Sequence, residues 1–242
     1  MAEEKRFAKE REKIESFSDF SNVYNFKKDF KYSYKTDAGL TEEIVREISA
    51  QKDEPEWMLQ ARLKSLELFY KIDYPTWGPD ISELQMDNIV TYVRPDAGLK
   101  ADWNEVPEDI KDTFDRLGIP EAEKTSLAGV GAQYDSEVVY HSIQEELVKQ
   151  GVVYTDFDTA LKEHEDIVRK HFMKLIPPTD HKFAALHGAV WSGGSFVYVP
   201  KGVNVEIPLQ SYFRLNAPGA GQFEHTLIIV DEGAELHFIE GC

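Results

Sequence analysis

The sequence predicts an α+β fold in which a helical amino-terminal region leads into the first rungs of a β-solenoid. Three observations predict it. Between Thr41 and Phe172 apolar residues recur at helical spacing, and after Pro177-Pro178 they give way to β-branched and aromatic runs. Two of those runs then repeat each other 31 residues apart.

The first 35 or so residues mix charge with scattered aromatics and keep no period, so residues 1–37 are expected to form a flexible, loosely docked arm. Thr41 can cap a helix whose first turn holds Glu42 and Glu43 and whose stripe is Ile44, Val45 and Ile48. Pro55 opens a second helix, with Trp57, Met58, Ala61, Leu66 and Phe69 on the apolar side and Arg62, Lys64 and Glu67 on the wet side. The two should pack as a hairpin. Breakers at Pro75, Gly78, Pro79, Pro95 and Gly98 mark residues 72–106 as a connector with one short strand, 89–93. Helical signals return after Pro107 (Ile110, Phe114, Leu117), after Asp135 (Val138, Val139, Ile143, Leu147) and after Asp156 (Leu161, Ile167, Val168, Phe172). Residues 38–180 are therefore read as mainly helical.

Residues 186–242 are read as the β part, with strands at 195–199, 203–207, 226–230 and 234–238. Residues 196–207 align without gaps on 227–238, each copy being strand, glycine turn, strand, with Gly202 matching Gly233. A glycine at the same place in both copies suits a corner that needs positive φ. Two rungs cannot bury both of their ends, since about three repeats are usually needed, so the chain is expected to stop within the solenoid.

Composition narrows the function. The 242 residues carry 27 basic and 44 acidic side chains, a net charge of -17 that repels nucleic acid phosphates and anionic lipid surfaces. No apolar run approaches the roughly 20 residues of a membrane span, and the start lacks the apolar core of a secretory signal, which reads as cytoplasmic. A single cysteine cannot form an internal disulfide, and no CxxC or Cys/His spacing suggests a closed zinc site.

Cys242 carries the most reactive chemistry, because a thiolate both accepts persulfide sulfur and binds iron; the competing reading is a buried apolar thiol. Arg214 and Asn216 lie two apart and would share a face of a strand, where an arginine can stabilise a thiolate and an amide can orient it, or both can simply be solvated. Glu224, Glu235, His237 and Glu240 could ligate iron, although outward charges on a half-exposed strand are usually solvated. The seven histidines are scattered, and His164 and His171, seven apart on one expected helix, are too far apart to pinch an ion. Gly129, Gly131, Gly193 and Gly194 are read as turn glycines, since no Gly-Lys-Ser/Thr follows them.

Several ordered segments carry a resemblance: Glu54-Pro55-Glu56-Trp57-Met58, Ala132-Gln133-Tyr134, Glu137-Val138-Val139-Tyr140-His141, Trp191-Ser192-Gly193-Gly194-Ser195-Phe196, Tyr212-Phe213-Arg214-Leu215-Asn216, Gly221-Gln222-Phe223-Glu224 and Glu240-Gly241-Cys242. Over about residues 38–242 the chain resembles the SufB/SufD family of iron-sulfur cluster assembly proteins. The resemblance implies a helical region before a right-handed parallel β-helix, and a scaffold rather than an enzyme, with ATP hydrolysis in a partner. It implies Cys242 as the sulfur acceptor, with Arg214 and Asn216 supporting the transfer, and leaves Cys242, Glu240 and His237 as weak metal candidates. The cargo it implies is a 4Fe-4S cluster, with a flavin link as well. Implied partners are a SufC-like ATPase, a SufD-like subunit and a cysteine desulfurase with its sulfur carrier. Two alternatives stay open: a SufD-like companion without its own cluster, and a thiol-dependent enzyme on a β-solenoid.

Overall fold

The computed structural model describes residues 29–116 and 127–241; Cys242 and most of the expected arm lie outside them. The last part of that arm is a strand, β1 (Tyr32–Lys35), antiparallel to β2 (Val93–Pro95). The strand expected at 89–93 is thus displaced, and Val90 makes only isolated bridges.

Helix α1 (Glu42–Lys52) is capped as expected, Thr41 Oγ1 accepting the Ile44 N–H at 3.2 Å. It ends at Asp53 in the left-handed region (φ 52°). Helix α2 (Glu56–Lys71) starts after Pro55 and packs on α1. Leu40, Ile44, Val45, Ile48, Leu66 and Phe69 share one core cluster. Helix α3 (Glu108–Arg116) lays Ile110 and Phe114 against β3 (Gly129–Tyr134) and β4 (Glu137–Ile143), which form an antiparallel hairpin.

That hairpin replaces the helix expected after Asp135. Val138, Val139 and Ile143 suit either period, and the choice falls to strand because β3 has a partner 80 residues further on: β7 (Asn204–Arg214) pairs with it in parallel from Gly129↔Leu209 to Tyr134↔Arg214. Only a short helix, α4 (Glu145–Lys149), follows before β5 (Val153–Asp156). Asp156 then caps α5 (Phe157–Glu163), its Oδ1 accepting the Thr159 N–H at 2.8 Å. His164 separates α5 from α6 (Glu165–His171), so His164 and His171 do not share a helix. Helix α7 (Lys182–Val190) was not foreseen; the composition change at residue 186 falls inside it, and the strands begin at Ser195.

The remaining strands are β6 (Ser195–Val199), β7 (Asn204–Arg214), β8 (Leu227–Val230) and β9 (Glu235–Gly241). They complete two mixed sheets, of order β4-β3-β7-β9 and β5-β6-β8. The 31-residue repeat becomes direct parallel pairing: Phe196 faces Leu227, Val199 faces Val230, and Asn204 faces Glu235. Past Val205 the register shifts, and Leu209 rather than Ile207 faces Phe238. The shift contains Pro208, which has no N–H for the ladder. Gly202 (φ 74°) and Gly233 (φ 72°) form the stacked corners, joined by a Lys201–Glu232 ion pair at 2.6 Å. Val197, Val199, Tyr154, Val205 and Leu209 form the core between the sheets.

Gly129 and Gly131 are strand residues rather than turn residues. A Cβ on Gly129 would stand 2.7 Å from Tyr154 Cδ1, and one on Gly131 would stand 2.9 Å from Tyr154 Oη, so the tyrosine occupies the space their side chains would need. Gly193 (φ 66°) and Gly194 (φ 95°) are turn glycines, and a Cβ on Gly194 would lie 2.3 Å from the His225 carbonyl oxygen.

Helices and sheets meet at Arg62. The sequence places it on the wet face of α2, yet it is fully buried. Its Nε donates to Glu54 Oε2 at 2.8 Å and its Nη2 to Glu54 Oε1 at 2.6 Å. Nη1 donates to the Ala189 carbonyl at 3.1 Å and Nη2 also to the Trp191 carbonyl at 2.9 Å. The guanidinium lies 4.4 Å from the Trp191 ring centroid. One side chain thus holds the start of α2, the end of α7 and the turn into β6. A second buried cation, Lys52, reaches Asp158 at 2.6 Å and Glu137 at 3.3 Å, tying α1 to α5 and β4. Burial alone would lower its pKa, but the two carboxylates outweigh that and raise it.

Histidines line the interior in neutral form. His187 Nε2 and His225 Nδ1 lie 2.8 Å apart, with His225 ringed by Phe157, Phe172 and Trp191. Burial pulls His141 and His187 down to about 4 and His225 to about 3, the Arg62 charge adding to the effect on the last two.

Arg62→Ala strands the Glu54 carboxylate and two carbonyls, and is expected to cost about 3–5 kcal/mol in urea unfolding, with Arg62→Lys recovering only part of it. A loss under 1 kcal/mol would contradict this account. Because these histidines have depressed folded pKa values, the unfolded chain takes up protons first, from about pH 6.5. Their stabilisation is complete above that pH and is lost as pH falls toward 4, His141 alone accounting for on the order of 3 kcal/mol. Asp156 and Glu224, both raised by burial, oppose the trend from lower ordinary pKa values. The urea midpoint should therefore drop between pH 7 and pH 5, and a flat midpoint would refute neutral burial.

Candidate functional site

The site is built where β7 leaves its sheet. Arg214 is the last residue of β7, half-buried, and its register partner is Tyr134 of β3. Asn216 lies beyond the strand and is fully buried. The two therefore do not share a strand, and Asp135 holds the segment that carries them. Asp135 joins β3 to β4 in the left-handed region (φ 55°) and is 1% exposed. Its Oδ1 accepts the N–H groups of Asn216 at 2.6 Å and Ala217 at 2.8 Å. Its own N–H donates to the Arg214 carbonyl at 2.8 Å.

Two glutamines close the network from behind. Gln133 Nε2 and Gln222 Nε2 each donate to the Asp135 carbonyl at 2.9 Å. Gln133 Oε1 accepts the Gly194 N–H at 2.8 Å, which fastens the Gly193-Gly194 turn to the same point. Asn216 Nδ2 donates to Tyr32 Oη at 3.2 Å, so β1 reaches the site. Burial raises the Tyr32 pKa, and the Asp135 charge raises it further. Burial lowers that of Arg214, while Tyr134 and Asp135 push it back up. The segment carries a half-buried cation two residues before an amide held through its N–H and its Nδ2, groups that can favour an anionic sulfur species.

β9 runs alongside. Ser211 of β7 faces Glu240, and Tyr212 faces Gly241, the residue before Cys242. Behind them Tyr154 Oη, Ser211 Oγ and Ser195 Oγ form a buried hydroxyl chain with contacts of 2.7 and 2.5 Å. Glu235 and His237 are exposed on one side of β9, and Glu240 is also exposed, accepting from Thr226 Oγ1 at 2.8 Å. Glu224 is half-buried, its pKa raised by burial and by Glu240. Among the described residues no three His, Cys, Asp or Glu side chains are grouped to hold a metal ion. Nor is any described helix long and apolar enough to cross a membrane.

A cleft of about 480 Å³ lies beside Arg94, with Asp96, Glu137, Asp156 and Asp158 in its walls. Four carboxylates against one arginine do not fit the phosphate of a flavin nucleotide, and no step is assigned to one.

Asp135, Gln133, Gln222 and Tyr32 were not identified as site residues from the sequence. Gln133 and Gln222 lie within resemblance segments, which was a usable signal; Asp135 reads as a helix start, and nothing local links Tyr32 to Asn216.

Residues 41–211 match the family described as the SufBD protein N-terminal region. The iron-sulfur cluster assembly protein SufB of Bacillus subtilis strain 168 is 62% identical over 209 residues, 86% of this chain and 45% of that protein. An iron-sulfur cluster assembly SufBD family protein of Staphylococcus aureus strain MRSA252 is 57% identical over 219 residues, 90% of this chain and 47% of that relative. The chain spans about half the length of these relatives.

Tyr32→Phe removes one bond to Asn216. Exchange of the β1 amides is expected to quicken by roughly 2–10-fold, the worth of one hydrogen bond, as measured by hydrogen–deuterium exchange; an unchanged rate would mean that Tyr32 does not fasten β1 to the site.

Proposed function

Because this chain belongs to the SufB/SufD family of iron-sulfur cluster assembly proteins, we propose that it forms the sulfur-receiving part of a cluster-assembly scaffold, with Cys242 as the acceptor thiol. The observation that carries this reading is the register of β9 on β7: Gly241, next to Cys242 in the chain, pairs with Tyr212, two residues before Arg214. In this reading the Arg214 cation favours the thiolate and persulfide forms, and the Asn216 amide orients them.

The stacked β6–β8 and β7–β9 pairs, with their corner glycines, support the further reading that these strands begin a right-handed β-helix. The iron-sulfur cluster, of 4Fe-4S type, is cargo, and His237 and Glu240 are its weaker candidate ligands beside Cys242. The scaffold would act in the cytoplasm with a SufC-like ATPase, a SufD-like subunit and a cysteine desulfurase with its carrier, and ATP hydrolysis would belong to the partner.

The reading is tested in the complete gene product with its own desulfurase and carrier, using sulfur-35 cysteine and persulfide trapping. Label is expected on Cys242, absent in Cys242→Ser and reduced at least tenfold in Arg214→Ala. Labelling of a companion subunit instead would reject the reading and favour a structural role.

A further inference from the structure

We infer that Asp135 is a positioning residue for sulfur transfer, acting through the segment that carries Arg214 and Asn216; this rests on the sulfur-receiving reading above. Two of its polar groups, Oδ1 and the backbone N–H, bind that segment. One carboxylate oxygen takes two successive N–H groups, those of Asn216 and Ala217, while the backbone N–H takes the Arg214 carbonyl. The segment is therefore held on both sides of Leu215, which sets the angle at which β7 gives way to Asn216. The carbonyl of Asp135 is fixed in turn by Gln133 and Gln222, so the holder is itself held.

The backbone explains why a carboxylate stands here. At φ 55° a glycine would be free of the steric cost that an L side chain meets. An aspartate that accepts this cost while 1% exposed places its Oδ1 on two backbone N–H groups, and its charge also pushes up the Arg214 pKa, which burial lowers. What it does is orient two backbone amides beside Asn216. Tyr32 adds a second link: its Oη accepts from Asn216 Nδ2, and its titration responds to Asp135. The amide of Asn216 is thus aimed by its own backbone, through Asp135, and by its side chain, through Tyr32.

The test uses the complete gene product with its desulfurase and sulfur carrier, and follows the rate of persulfide formation at Cys242. Asp135→Gly keeps the left-handed backbone and removes only the carboxylate; Asp135→Asn keeps an accepting oxygen without the charge. The expected order is a loss of at least tenfold in kcat for D135G and about threefold for D135N, with the KM for the loaded carrier unchanged. A double-mutant cycle separates positioning from mere folding. If Asp135 acts through Asn216, D135G/N216A is no more than twofold slower than N216A alone. Should D135G fail to fold, the same cycle is run with D135N. Multiplying effects in the cycle, or a wild-type rate in D135G alongside a slow N216A, overturns the inference while the sulfur-receiving reading stands. Wild-type rates in both R214A and N216A overturn that reading, and the inference with it.

Discussion

The contact of Arg62 with Glu54 and Trp191 is the constraint on which the rest depends. A buried guanidinium is costly unless nearly every donor is used, and here four hydrogen bonds and one ring face serve it. Its acceptors come from the residues before α2, the last turn of α7 and the turn into β6. Those three segments are far apart in sequence and cannot shift independently without leaving a charge unpaired. The helical region is thereby locked to the point where the sheets begin.

That lock reaches the candidate site through a short series of contacts. Trp191 is followed by Ser192, Gly193 and Gly194, and the Gly194 N–H is held by Gln133, whose amide also holds Asp135. Asp135 in turn sets the backbone at Asn216. The helices thus do more than cover the sheets, because they help define where the Arg214–Asn216 segment stands. The buried histidines are consistent with this: His225 packs on Trp191, and its backbone leaves no room for a side chain at Gly194.

Much of the fold was legible where the signal is local. The Thr41 cap, the α2 start after Pro55 and the positive-φ corners at Gly202 and Gly233 each follow from a few neighbouring residues. The failures share a different cause. The hairpin around Asp135, the strand glycines Gly129 and Gly131, and the burial of Arg62 each depend on a partner at least 23 residues away: β7, Tyr154 and Trp191. Of the site, Arg214 and Asn216 were named from chemistry and resemblance, but the warrant of a shared strand face does not hold, since Asn216 lies past the strand end.

By itself the sequence determined the α+β class, the 31-residue repeat, the corner glycines and the candidate residues, because helix periods, turn glycines and repeats are written in near neighbours. Only the tertiary structure decided that β3 and β4 are strands, that the repeat slips by two residues around Pro208, that Arg62 is internal, and that Asp135 and Tyr32 reach Asn216. Parallel pairing and buried polar contacts join residues distant in the chain, and their energies depend on which groups lose water together, which a local pattern does not record.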